Sequence, residues 1–219
     1  MIVIVAGMHR TGTSALAGML HHNGIIMGHA EDFYPPPMKE NPKGFFENVR
    51  FRRINDALLN GNGYRVKSFD PDVPVIKTTM IDTRLQMIRL IDQYDSKHAA
   101  WGWKDPRTCL TMNVWLGLLE QMGLIGTVAV LVPCRATKDV AASMLRRGNK
   151  GTHTQFEDLA RTYNKRLLVS LTEYNVQFKT VDFEKFMLKT EFVVSGISKF
   201  LGYPITDTTF VDPNISQVA

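Results

Sequence analysis

Ile2-Val3-Ile4-Val5-Ala6-Gly7-Met8-His9-Arg10-Thr11-Gly12-Thr13-Ser14 is the stretch that decides the fold. It opens on a β-branched run apolar on both faces, the pattern of a strand in the middle of a parallel sheet. Residues 7–12 then read as a turn and residues 13–23 as a helix, with Leu16, Met19 and Leu20 at helical spacing and Gly24 as its stop. A buried strand, a tight turn and a helix in succession make an anion cradle. Successive backbone N–H groups converge on it, and the helix N-terminus adds partial positive charge. The spacing is GxxxxG followed by Thr13-Ser14. A nucleoside-triphosphate loop would carry Lys at position 13 to reach the β/γ-phosphates. Here Thr13 stands there and the cation has moved to Arg10, which argues against an ordinary kinase or ATPase.

Further along, strands are expected at 99–103, 127–132 and 176–181. Helices are expected at 45–59, 81–94, 108–121, 137–147, 155–173, 183–188 and 191–200. This alternation implies an α/β fold with a central, mainly parallel sheet flanked by helices. Ligands in such sheets bind beyond the carboxyl ends of strands. One domain, 1–219, is expected, with 29–44 (containing Pro35-Pro36-Pro37) and 60–75 as candidate substrate or lid loops.

Composition sets bounds on function. The 219 residues are 44% hydrophobic and 21% charged, ordinary for a globular protein. The 26 Lys+Arg against 21 Asp+Glu give +5, which admits an anionic ligand but falls short of a nucleic-acid-binding arm. Cys109 and Cys134 belong to no CxxC or Cys/His cluster, so no metal is expected, and a reducing compartment fits. The first apolar run is too short for a signal peptide or a span, and no later one reaches ~18 residues. The expectation is a cytoplasmic protein. The 11 methionines and the tryptophans of the 101–103 stretch read as packing.

A second constellation follows the strand at 127–132. Arg135 stands at its exit and Ser143 lies in the next helix, past the small Ala141 and Ala142. Arg presents a planar fork of donors suited to phosphate, and Ser adds a hydroxyl. A third is Trp101-Gly102-Trp103-Lys104-Asp105-Pro106-Arg107, which puts Lys104 at another strand end. Arg10, Lys104 and Arg135 thus all fall at strand exits, where one polyanion can meet them.

Strand–G-x-x-R-[ST]-G-[ST]-[ST]–helix resembles the 5′-phosphosulfate loop of sulfotransferases, which take 3′-phosphoadenosine-5′-phosphosulfate (PAPS) as donor. The strand–Arg135…Ser143 element resembles that family's 3′-phosphate site. The Lys104-Asp105-Pro106 segment resembles one found in protein-tyrosine and bacterial-type members. Asn41-Pro42-Lys43-Gly44-Phe45-Phe46-Glu47-Asn48 resembles a stretch of the shorter bacterial-type enzymes, where an aromatic pair precedes an acid. The resemblance implies a P-loop NTPase-like three-layer sandwich and transfer of a sulfuryl group to a hydroxyl or amine acceptor. It implies that Arg10, Thr11, Gly12, Thr13 and Ser14 hold the phosphosulfate, and that Arg135 and Ser143 hold the 3′-phosphate. Lys104 and Arg10 would stabilise the transition state. Glu47, expected in the first turn of its helix, would serve as general base, with His29, Glu31 and Asp32 as other candidates. The acceptor stays open among carbohydrate, lipid, small alcohol and peptide. The basic Arg-Lys-Gly loop of animal cytosolic members is missing. The alternatives are a P-loop nucleotide or small-molecule kinase lacking its Lys, and an inactive donor-binding module.

Overall fold

The computed structural model describes residues 1–33, 41, 43–77 and 79–212. Its strands are β1 (Ile2–Val5), β2 (Trp101–Lys104), β3 (Val128–Cys134) and β4 (Phe178–Asp182), all parallel, in the order β2-β1-β3-β4. The helices in chain order are α1 (Thr13–His22), α2 (Val49–Gly61), α3 (Ile81–Asp95), α4 (Thr108–Gln121), α5 (Thr137–Arg146), α6 (His153–Glu173), α7 (Phe183–Leu188) and α8 (Thr190–Leu201). Among the described residues, no helix is long and apolar enough to cross a membrane.

The sequence of β1 explains the layers. Ile2 and Ile4 enter a core built with side chains of α2 to α6, whereas Val3 and Val5 enter a second core with α1, α7 and α8. Successive strand residues point to opposite faces, so a strand covered on both sides is apolar throughout. At about 1.5–3 kcal/mol for each large apolar side chain taken from water, this central strand anchors both layers. Close approach to β2 needs Gly102, where a Cβ would sit 1.7 Å from the Val3 carbonyl oxygen. On the first core's side, Trp101, Trp103 and Trp115 are fully buried, and Phe51 stacks on Trp103 at 4.6 Å. The tryptophans are packing residues, as expected.

The helix expected from residue 45 begins only at Val49. Gly44 and Phe46 both have positive φ (91° and 51°), which helical backbone cannot follow. Asn48 then caps α2, its side chain accepting a hydrogen bond from Arg50 N. Glu47 therefore lies ahead of the cap and not in the first turn, which corrects the sequence expectation. Within the 60–75 loop, Phe69 O, Pro71 O and Val73 O accept hydrogen bonds from Gln155, Thr162 and Arg166 of α6 at 2.8–3.0 Å. That segment is fastened as a wall. Of the 29–44 loop, residues 34–40 and 42, with Pro35-Pro36-Pro37 among them, lie outside the described residues. Cys109 is buried, but Cys134 is only half-buried, and both are free thiols.

Candidate active site

The loop after β1 is shaped by its own constraints. Arg10 and Gly12 take positive φ (71° and 85°), turning the chain so that α1 starts at Thr13. A Cβ on Gly7 would lie 2.7 Å from Pro133 O, so only glycine lets the loop pass the end of β3. Thr11, almost fully buried, donates from Oγ1 to Met8 O at 2.8 Å. Its hydroxyl holds the loop closed and does not line the cleft above it, where Thr13 and Ser14 do. Arg10 Nε donates to Ser143 Oγ at 2.9 Å, tying the loop to α5.

A cleft of about 560 Å³ opens over this loop and the exit of β2, bringing together His9, Arg10, Thr13, Ser14, Glu47 and Lys104. Lys104 is 1% exposed, and its Nζ donates to Glu47 Oε1 at 2.9 Å. Arg107 sits 3.9 Å from the other Glu47 oxygen, and donates to Asp105 Oδ1 and Asp56 Oδ1 at 2.8 Å each. Asp105, fully buried, also accepts from Asn55 Nδ2 at 2.9 Å and from Arg107 N at 3.0 Å. Asn55 in turn accepts from Thr111 Oγ1 and Trp115 Nε1, at 2.7 and 2.8 Å. One buried amide thus fixes the β2 exit against α2 and α4, and through it the Lys104–Glu47 pair.

Electrostatics follow from this wiring. Burial pushes the Glu47 carboxyl up, but the Lys104 ammonium, its hydrogen bond and Arg107 outweigh that and leave it below the usual carboxylate range. Burial would lower Arg107, yet Asp105, Asp56 and Glu47 together hold its proton more tightly than usual. His9 is pushed down to about 3, first by burial and then by Arg107, and its Nε2 is buried without a hydrogen-bond partner. It is therefore a neutral imidazole at every physiological pH.

Other expected residues lie elsewhere. Arg135 does not line the cleft. Its guanidinium lies 4.4 Å over the Phe183 ring, which packs on Gly12, and its Nε is 3.1 Å from Glu184 Oε1. Ser143, nearly fully buried, bonds to Arg10. The alternative bases stand apart from the cleft lining. Asp32 accepts from Tyr94 Oη at 2.7 Å, the His29 ring stacks on Tyr94 at 5.5 Å, and Glu31 is exposed. The sequence assigns no role to Arg107, and the doublets Arg52-Arg53 and Arg146-Arg147 read either as solvated faces or as donor-cleft lining; Arg107, Arg52 and Arg147 line the cleft. Doublets such as Arg52-Arg53 and Arg146-Arg147 mark a charged surface, but only the fold shows which member turns inward. The His9 ring also lines the cleft. Among the described residues, no group of three His, Cys, Asp or Glu could hold a metal.

No protein family profile matches the chain, and no curated protein does. Solved structures do. A sulfotransferase domain from the Synechococcus PCC 7002 olefin synthase aligns over 97% of this chain and 76% of its own, with TM-score 0.56 and 18% identity. A sulfotransferase domain from the curacin biosynthetic pathway aligns over 94% and 75%, with TM-score 0.54 and 18% identity. A sulfotransferase from Alicyclobacillus acidocaldarius aligns over 97% and 87%, with TM-score 0.51 and 17% identity. At these identities the likeness is one of fold, and the chain has the α/β fold of those domains.

Proposed function

We propose that this chain is a sulfotransferase that moves the sulfuryl group of PAPS to an acceptor hydroxyl or amine. The observation that carries the proposal is the meeting, in one cleft, of the anion loop with its Arg10 and the buried Lys104–Glu47 pair. The residues fit the donor's chemistry. Gly7 and Gly12 let the loop pack against Pro133 and Phe183, the start of α1 points free N–H groups at the loop, and Thr13 and Ser14 add hydroxyls.

When bound, the donor supplies a sulfur atom that leaves one oxygen for another. The loop amides, Thr13 and Ser14 hold the phosphosulfate. Ser143 and Arg135 hold the 3′-phosphate, and Arg135 exchanges its partner Glu184 for it. Glu47 takes the acceptor's proton as the new O–S bond forms. Lys104 and Arg10 stabilise the negative charge that gathers on the bridging oxygen as the old S–O bond breaks, releasing adenosine 3′,5′-bisphosphate. As Lys104 turns toward that oxygen, its hold on Glu47 loosens and the carboxylate becomes a stronger base when it is needed. Positioning and charge stabilisation, rather than covalent chemistry by the protein, carry the rate, as in phosphoryl transfer. The expected location is the cytoplasm.

The test is a screen of hydroxyl and amine acceptors with PAPS labelled in the sulfuryl group. Labelled product from at least one class is the expected result. Intact donor across sugars, phenols, alcohols and peptides contradicts the assignment.

A further inference from the structure

The cleft holds more positive charge than transfer from PAPS requires. Lys104, Arg107 and Arg52 are paired with Glu47, Asp105 and Asp56, and Arg10 belongs to the anion loop. Lys67, Arg147 and Lys150 remain on the cleft lining, all exposed. Among the described residues, none of the three has a carboxylate within ion-pairing distance. They come from two separate segments, the Val66–Ser68 turn and the turn that follows α5. The only carboxylate lining the cleft among the described residues is Glu47, which Lys104 neutralises.

Their placement points to the acceptor side. The Arg147 guanidinium lies 5.6 Å from the centroid of the Phe45 ring, two positions before Glu47 in the chain. Arg135 precedes α5, whereas Arg147 and Lys150 follow it, and Ser143 stands one turn before Arg147, so the bisphosphate measurement below separates an acceptor role from a donor role. Phe45 and Phe69 add apolar surface to the same walls, suited to an acceptor's carbon skeleton.

We propose that the acceptor is itself an anion, a hydroxyl-bearing molecule with a carboxylate, phosphate or sulfate group near the reacting hydroxyl, held by Arg147, Lys150 and Lys67. This rests on the transfer chemistry above. Cations at an open mouth act on approach and on binding, and their pull is screened by salt over about 8–10 Å.

The experiment uses labelled PAPS and three matched pairs. These are 4-nitrophenyl β-glucuronide with the β-glucoside, 4-hydroxyphenylacetate with its amide, and glycerol 3-phosphate with glycerol. The charged member of each pair that turns over is expected to show kcat/KM at least ~10-fold higher at low salt, with the margin shrinking as salt rises. Combining Arg147→Gln with Lys150→Gln is expected to erase the preference while keeping adenosine 3′,5′-bisphosphate affinity within ~2-fold. Equal or better turnover of the neutral members overturns the proposal and leaves the transferase assignment standing. So does a double variant that loses bisphosphate affinity, because the cations then serve the donor. No product from any of the six compounds also overturns it, and if the bisphosphate fails to bind as well, the transferase assignment falls with it.

Discussion

Glu47 and His9 carry the site's pH behaviour, in opposite senses. The Lys104 ammonium holds the Glu47 carboxyl below its usual range, so the group proposed as base is ionised at neutral pH. The acid limb of kcat/KM is expected below about pH 4.3, the ordinary glutamate value. A limb near pH 6.5 would contradict Glu47 as base and point to an imidazole. Glu47→Gln keeps size and hydrogen bonding but cannot take a proton. It should lower kcat ~10²-fold or more while adenosine 3′,5′-bisphosphate affinity holds, and near-normal turnover would exclude Glu47 as base. His9 acts on stability. Its folded pKa, about 3, lies below the free value of 6.5, so the unfolded chain binds a proton that the folded one refuses. The stability it contributes is full above pH 6.5 and drains away as pH falls toward 3, by up to about 1.4 kcal/mol per pH unit. His9→Gln should therefore flatten the fall of Tm between pH 6.5 and 4 relative to the parent. Parallel curves would show that His9 is not the proton-linked group.

At the scale of elements, the site depends on the join between α2, α4 and the end of β2. Asn55→Ala strips a donor from buried Asp105 and the acceptor from buried Trp115 Nε1. Two such groups left unsatisfied should destabilise the fold by about 3 kcal/mol, read by urea unfolding, and a loss under about 1 kcal/mol would show that the network is slack. This join marks the limit of what the sequence discloses. Local patterns named the strands and most helices to within a few residues, because burial on two faces and helical spacing are written along the chain. The start of α2 was misread because Phe46 adopts a positive φ that its own chemistry does not favour. Its ring is held among His21, Phe33 and Phe210, residues distant in sequence. The resemblance pointed to Lys104 and Glu47 separately, and their pairing is visible only in the fold. Arg107 was missed because its role is set by Asp56 and Glu47, which are brought to it by folding.

For the molecule as a whole, a net charge of +5 says little about function, but its distribution says more. The sheet order β2-β1-β3-β4 gathers the exits of β1 and β2 under one cleft and sets Arg135, at the exit of β3, beside Phe183 and Glu184. No local pattern encodes that order. The resulting field suits a donor with anions at both ends, and Thr13 in place of a loop lysine leaves a triphosphate's outer phosphates poorly held. The most direct measurement is a calorimetric titration of the whole chain with adenosine 3′,5′-bisphosphate in the presence of a chelator, set beside ATP with magnesium. The expected result is saturable one-to-one binding of the bisphosphate without metal, tighter than that of ATP. Preference for ATP with magnesium, or no binding of the bisphosphate, contradicts the assignment.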